Sequence, residues 1–454
     1  MNTVIATEAS IQHAFGEERS LSREQKEAVG MLSIGTFLEY FDLLLYVHMA
    51  VLLNELFFPT YDTYSAAILS AFAFCSTFVF RPFGALLFGW IGDKIGRKST
   101  VIITTIMMAC SCLTMFSLPT YAQIGITASI LVTICRIVQG MSSLGEVVGA
   151  ELYLTETTKP PVQYPIVGLI AVFADIGGVA ALGVATLVTM HGFNWRLAFL
   201  FGTVIALVGA VARTRLRETP EFADANKRLA NKLEVFGLVK DDISAKQLLE
   251  HKVNIKTLLS YMAIESTGPI IFYFVYVYCS NILKNTFHYT SGQIISHNFI
   301  ISLAFLIVSI SYTYLSYKIH PLKIARTRLI IFLVGILFYP YLLNDIASTS
   351  HLLLLQLFVV VCSPRVFPAT PIFYKQFPVF KRFRCTSLAF AIVRAIMFVI
   401  TSFGLVYLID YFGNWGLLVL ILPFTVLYGF GLRYFEWLEF KSNYSRAEQT
   451  PASA

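Results

Sequence analysis

Long apolar segments alternate with short polar connections along most of the chain. Each segment is close to the length of about 20 residues that a helix needs to cross a bilayer. Twelve such spans, numbered in chain order, cover residues 29–53, 65–90, 99–118, 122–149, 164–190, 195–213, 256–283, 293–316, 327–343, 350–373, 385–409 and 415–435. The pattern therefore predicts an all-α membrane protein with twelve transmembrane helices.

One long polar stretch divides these spans into two sets of six. The predicted domains are an N-terminal tail, a first six-helix bundle, a central loop, a second six-helix bundle and a C-terminal tail. They cover residues 1–28, 29–213, 214–255, 256–437 and 438–454, respectively.

Composition supports a lipid environment and excludes several classes of soluble protein. Hydrophobic residues make up 56% of the chain and charged residues only 13%, whereas soluble domains carry about 25% charged residues. The net charge of +7 is distributed among the connections between spans. These values argue against a nucleic-acid-binding protein, an ordinary cytosolic enzyme and a disulfide-rich secreted domain.

Lys and Arg are concentrated in every second connection between spans, and the connections in between carry few of them. Lys94, Arg97 and Lys98 follow span 2, whereas the alternate connections hold acids such as Glu55 and Asp345. Because cytoplasmic connections are enriched in Lys and Arg, we expect both termini and the central loop to be cytoplasmic.

Spans 1 and 4 carry ionisable groups at helical spacing. Glu39, Asp42 and Tyr46 share one face of span 1. Arg136, Gln139 and Glu146 share one face of span 4. Such groups are costly in lipid and normally face the interior of a bundle. A functional cavity and a purely structural lock between helices both remain open at this point.

Three motifs resemble those of a known transporter family. The segment RPFGALLFGWIGDKIGRK at 81–98 resembles the loop between the second and third helices of the major facilitator superfamily. EYFDLLLY at 39–46 and RIVQGMSSLGEVVGA at 136–150 resemble the first-helix and fourth-helix signatures of its metabolite:H+ symporter family, which includes osmolyte, oxoglutarate, citrate and shikimate carriers. The resemblance implies two six-helix bundles that rock around a central site in a bacterial inner membrane.

The resemblance also suggests residue roles. The gating motif would comprise Gly92, Asp93, Gly96, Arg97 and Lys98.

Similar carriers pair a first-helix acid with a fourth-helix arginine, so we expect Asp42 to oppose Arg136. Asp42 is the first candidate for the proton-coupling acid, Glu39 the second and Glu146 the third. The proton would be the coupling ion, and no other cofactor or metal is expected. Alternatively, the acids and Arg136 only lock helices together.

Other polar groups within spans are candidates for substrate binding. Together with Tyr46, Arg136 and Gln139, this set contains Asp175, Glu265, Tyr273, Tyr276 and Arg394. Arg365 in span 10 could belong to the cavity or to the structure. The guanidiniums of Arg136 and Arg394, if both face inward, suit an anionic substrate. They favour an organic acid or polycarboxylate over a zwitterionic osmolyte such as proline or betaine.

The sequence predicts a monomeric secondary transporter rather than an enzyme. No nucleotide-binding or hydrolase motif is present. The expected partners are a small-molecule substrate, protons and the lipid bilayer. A transporter-like nutrient receptor and an uncoupled facilitator are the alternatives.

Overall fold

The structure, a computed structural model, describes residues 20–58, 72, 75–95, 97–142, 146–190, 194–214 and 253–449. The helices of the first half are Arg23–Phe57, Arg81–Ile95, Arg97–Ser117, Tyr121–Ile124, Ile126–Ser142, Glu146–Thr157, Gln163–Met190 and Arg196–Thr214. Those of the second half are Ile255–Glu265, Thr267–Tyr273, Cys279–Asn285, Ser291–Lys318, Pro321–Ile336, Tyr339–Asn344, Thr349–Cys362, Thr370–Lys375, Val379–Phe412 and Trp415–Gln449.

Helices occupy every one of the twelve predicted spans. Among the described residues, seven helical segments are long and apolar enough to cross a membrane, and four shorter ones are also apolar. Large apolar side chains such as Ile307, Leu354 and Phe430 are more than 60% exposed on helix surfaces. Such faces suit contact with lipid, because lipid does not penalise exposed hydrocarbon. The all-α membrane class is confirmed.

Helix boundaries differ from the predicted spans at both ends of the chain. The first helix begins at Arg23, because Ser22 and Gln25 form a capping box that satisfies two backbone N–H groups. The last helix continues to Gln449, well past the predicted end at residue 435. The central loop lies almost entirely outside the described residues, which resume at residue 253.

Span 10 is broken where the sequence predicted one continuous helix. The helix Thr349–Cys362 ends, residues 363–369 are irregular, and Thr370–Lys375 begins a second, shorter helix. Pro364 and Pro368 lie inside the break. Proline lacks a backbone N–H and restricts the residue before it, so the two prolines explain why the helix stops.

Two glycines allow helix backbones of the first half to touch. A Cβ atom at Gly140 would lie 1.9 Å from the backbone oxygen of Thr77, which joins span 4 to span 2. A Cβ atom at Gly177 would lie 2.5 Å from the backbone oxygen of Phe37, which joins span 5 to span 1. Any larger side chain would force these pairs apart.

The two halves contact each other at both ends of the bundle. At the predicted cytoplasmic end, Arg382 Nη1 lies 2.7 Å from Glu156 Oε1. At the opposite end, Lys284 Nζ lies 2.7 Å from Glu55 Oε1. Between these ends, span 5 packs along span 8 and span 2 packs against span 11. The two halves are therefore in contact at both ends of their interface.

Candidate functional site

A buried arginine is at the centre of the polar cluster in the first half. Arg136 is fully buried, and its Nη1 donates a hydrogen bond to Gln139 Oε1 at 3.0 Å. Its guanidinium carbon lies 3.8 Å from the centre of the Tyr46 ring. Its Nε and Nη2 atoms have no hydrogen-bond partner among the described residues. Each unpaired buried donor costs about 1–3 kcal/mol, so this guanidinium is poised to receive an acceptor.

Asp42 belongs to the same cluster but does not contact Arg136 directly. No ion pair joins Asp42 and Arg136 in the described part of the chain, although the resemblance led us to expect one. Cys112 lies within electrostatic range of both groups and accepts a hydrogen bond from Gln139. Asp42 Oδ1 instead packs toward Gly202 of span 6, 3.2 Å from where a Cβ atom would lie. Asp42 and Arg136 therefore both lie near Cys112 without forming an ion pair with each other.

Glu39 lies near a different arginine. Its carboxylate interacts electrostatically with Arg81 of span 2, which is also within range of Arg394 in span 11. Arg81 is only 3% exposed. Glu39 and Asp42 thus share a helix face, but Glu39 interacts with Arg81 whereas Asp42 lies beside Cys112.

Arg394 interacts with acids from both halves of the molecule. Glu265 of span 7 and Glu151 of span 4 are each within its electrostatic range. Tyr261 donates to Glu265 Oε1 at 3.0 Å, and Tyr374 donates to Glu151 Oε2 at 2.8 Å. Arg81 is within electrostatic range of both Arg394 and Arg136, and both of these interactions between like charges are repulsive.

Tyr276 lies at the interface between halves. It is part of a π-helical segment, Phe274–Tyr278, within span 7, and such segments are frequent at functional sites. Its hydroxyl is 2.7 Å from Ser302 Oγ. Its ring meets the buried His48 ring of span 1 edge-on, with centroids 5.2 Å apart. Tyr273, by contrast, is buried in the same core as Val393 and Met397 of span 11, within the second half.

A third polar group joins spans 5, 8 and 10. Ser309 donates a hydrogen bond to Asp175 Oδ2 at 2.5 Å, and Arg365 Nη1 donates to Ser309 Oγ at 3.3 Å. Arg365 Nη1 lies 3.9 Å from Asp175 Oδ2. Asp175 belongs to the first half and its two partners to the second, so these three residues connect the halves across their interface.

A family model described as Major Facilitator Superfamily matches residues 32–378. The chain belongs to the Major Facilitator Superfamily.

Curated relatives in this superfamily are named as transporters. The proline/betaine transporter of Salmonella typhimurium is 29% identical over 290 residues, which cover 62% of this chain and 57% of the relative. A putative metabolite transport protein of Haemophilus influenzae is 35% identical over 226 residues, covering 47% of this chain and 50% of the relative. The matches thus span about half the length of these relatives.

Solved structures of superfamily members share the fold. The proton:xylose symporter XylE bound to 6-bromo-6-deoxy-D-glucose has a TM-score of 0.72 at 15% identity, covering 91% of this chain and 95% of that one. The human organic anion transporter MFSD10 has a TM-score of 0.63 at 14% identity, covering 91% and 100%. The predicted fold of twelve helices in two bundles is confirmed, and the relatives are transporters rather than enzymes.

Part of the superfamily motif lies outside what the structure describes. Gly92 and Asp93 are near the end of the helix Arg81–Ile95, and Arg97 and Lys98 begin the next helix. Their side chains, like that of Glu146, are not among those described, and Gly96 is wholly outside. Their predicted roles in gating and coupling stay predictions.

Sequence reasoning missed several buried polar groups. His48 and Arg81 lie inside spans, a position that is itself a signal. Arg328 lies inside predicted span 9 and in the helix Pro321–Ile336, where it is 3% exposed and its guanidinium carbon is 4.3 Å from the Tyr312 ring centre. Ser309 carries no sequence signal, because serines are common in spans.

Proposed function

We propose that the protein is a proton-coupled symporter that imports a small solute bearing a carboxylate group. The observation that carries this proposal is the fully buried Arg136, in one cluster with the buried acid Asp42, with two donor atoms that find no acceptor among the residues that the structure describes. A symporter needs an acid whose proton affinity differs between its states. Asp42 meets this need if rocking of the halves changes how much water reaches its site, because burial favours the protonated form of an acid.

Two classes of substrate fit the proposal. A zwitterion of the proline or betaine type is supported by the names of the relatives in Salmonella typhimurium and Escherichia coli. An organic acid is supported by the number of buried or half-buried guanidiniums, those of Arg136, Arg328, Arg365 and Arg394. Both classes carry a carboxylate, which arginine binds in a fork geometry.

Proteoliposome uptake tests the function directly. The purified chain is reconstituted and given radiolabelled proline, glycine betaine or citrate, with and without an imposed pH gradient that is alkaline inside. Accumulation above equilibrium that requires the gradient supports symport. Equilibration that ignores the gradient would identify a facilitator, and binding without flux would identify a receptor.

A further inference from the structure

The contact between Asp175 and Arg365 joins one negative and one positive charge from opposite halves. Asp175 is 16% and Arg365 is 23% exposed as side chains, so both are largely withdrawn from solvent. Their closest atoms are 3.9 Å apart, with Ser309 as a bridge. This distance exceeds that of a direct hydrogen bond. The attraction between the two side chains is therefore electrostatic, and separating them breaks the hydrogen bonds through Ser309 rather than a direct one.

The backbone of Arg365 lies in the irregular break of span 10 rather than in a helix. It lies among the irregular residues 363–369, and its backbone oxygen accepts a hydrogen bond from Tyr428 at 2.9 Å. Both contacts toward Ser309 and Asp175 use Nη1. Since a guanidinium has five N–H donors, most of its binding capacity is not committed to this pair.

Aromatic rings surround the same position. The Arg365 guanidinium carbon is 3.7 Å from the Phe305 ring centre and 4.9 Å from that of Phe367. Tyr276 lies within electrostatic range of both Asp175 and Arg365. Aromatic faces attract cations, including alkylated ammonium groups. The Phe305 and Phe367 rings already contact the guanidinium of Arg365, so a positive group of a ligand would be matched by the carboxylate of Asp175.

Opening such a pair has a cost that depends on the ligand. Removing one partner of a buried ion pair is strongly destabilising, because the other charge is left without compensation. A pure anion that takes Arg365 would leave Asp175 unmatched, and a pure cation that takes Asp175 would leave Arg365 unmatched. Only a ligand with both charges replaces the pair charge for charge.

We propose that Asp175 and Arg365 together form the binding site for a zwitterionic solute, whose carboxylate pairs with Arg365 and whose cationic nitrogen pairs with Asp175. The inference rests on the proposed transport function and selects between its two substrate classes. In the empty carrier the two side chains neutralise each other across the interface. The solute separates them and bridges the halves in their place.

Three small molecules with the same five-membered ring separate the contributions of the two charges. Proline carries both charges, pyrrolidine only the positive one, and cyclopentanecarboxylate only the negative one. Binding to the full chain in nanodiscs is measured by calorimetry and by thermal shift. We expect the wild type to bind proline at least about tenfold more tightly than either analogue.

The variants should change ligand preference in opposite directions. Arg365→Gln should weaken proline binding about tenfold or more and favour pyrrolidine over cyclopentanecarboxylate. Asp175→Asn should favour cyclopentanecarboxylate instead. Arg365→Lys and Asp175→Glu keep the charges and should retain the wild-type order. Arg326→Gln and Glu436→Gln, which break an ion pair within the second half, are the matched controls.

A purely structural ion pair would give a different result. It predicts that the variants lose stability without changing the order of the three ligands, and that outcome overturns the proposal. Wild-type preference for cyclopentanecarboxylate or citrate, or no binding of proline and glycine betaine, also overturns it. If proline is taken up under a pH gradient but the variants do not change ligand preference, the symport function stands. The assignment of the binding site to Asp175 and Arg365 is then wrong. If the wild type and the variants show the expected ligand preferences but no gradient-driven uptake occurs, the binding site stands and the symport function is overturned.

Discussion

At the scale of single residues, Asp42 is the group on which proton coupling is expected to depend. Replacing Asp42 with Asn keeps the size of the side chain but prevents it from carrying a charge. We expect accumulation in proteoliposomes under a pH gradient to fall to equilibrium, while exchange of internal for external solute continues. Exchange needs only movement of the loaded carrier, which does not require a change of proton occupancy.

Asp345→Asn is the matched control for this variant, because Asp345 is an exposed acid outside the cluster. Its uptake should equal that of the wild type. Unchanged uphill uptake by Asp42→Asn would assign the coupling role to another acid.

The identity of the buried charged residues was largely accessible from the sequence, but their partners were not. Asp42, Arg136 and Asp175 stand out because they interrupt apolar spans. Their contacts depend on how helices rotate and approach. Gly202 gives Asp42 a neighbour other than Arg136, and no spacing within span 1 or span 4 contains that information.

At the scale of helices, close backbone contact makes Gly140 a sensitive position. Gly140→Ala would place a methyl group 1.9 Å from the Thr77 backbone oxygen, so spans 2 and 4 must separate. We expect a loss of about 1–3 kcal/mol in stability, as for overpacked cores. The measurement is thermal unfolding in detergent, followed by the yield of monodisperse protein.

Gly30→Ala is the corresponding control in a helix. A Cβ atom at Gly30 meets nothing within 4 Å, and alanine favours helix over glycine by about 1 kcal/mol. This variant should be as stable as the wild type or slightly more so. Equal stability of the two alanine variants would show that spans 2 and 4 do not pack as described.

Hydropathy identified where helices occur more reliably than how they are interrupted. Each apolar span must be helical, because backbone N–H and C=O groups in lipid have to form their hydrogen bonds within the segment. The break in span 10 and the π-helical segment in span 7 are different, because neighbouring helices can either tolerate or enforce such features. Pro364 and Pro368 were visible in the sequence, but they could have produced a kink instead of a break.

At the scale of the whole molecule, the ion pair between Glu156 and Arg382 holds the halves together at the predicted cytoplasmic end. Its side chains are 25% and 10% exposed. Glu156→Gln removes the charge and leaves Arg382 bound to the Phe377 backbone oxygen. We expect the population open at this end to rise about tenfold, equivalent to about 1.4 kcal/mol.

Hydrogen–deuterium exchange measures this opening in the helices Glu146–Thr157 and Thr370–Lys375. Glu436→Gln is the control, because its partner Arg326 lies in the same half. Exchange in these helices should increase for Glu156→Gln only. Equal increases in both variants would point to general loss of stability.

The division into two six-helix sets was predicted from the polar central stretch, but the contacts that join the two halves were not. Contacts such as Lys284 with Glu55 join residues 229 positions apart. They exist only in one arrangement of a protein that is proposed to alternate between several. A single sequence encodes all of these arrangements, so it does not show which contacts occur together.

The interruption of span 10 divides it into two helices that have different neighbours. Its longer piece, Thr349–Cys362, packs on span 8 of its own half, whereas Thr370–Lys375 packs on spans 4 and 5 of the other half and on spans 11 and 12 of its own. The short piece thus contacts both halves, because Phe373 and Tyr374 also pack in the buried core of the second half. Any relative movement of the halves must therefore rearrange the contacts of Thr370–Lys375 on one side or the other.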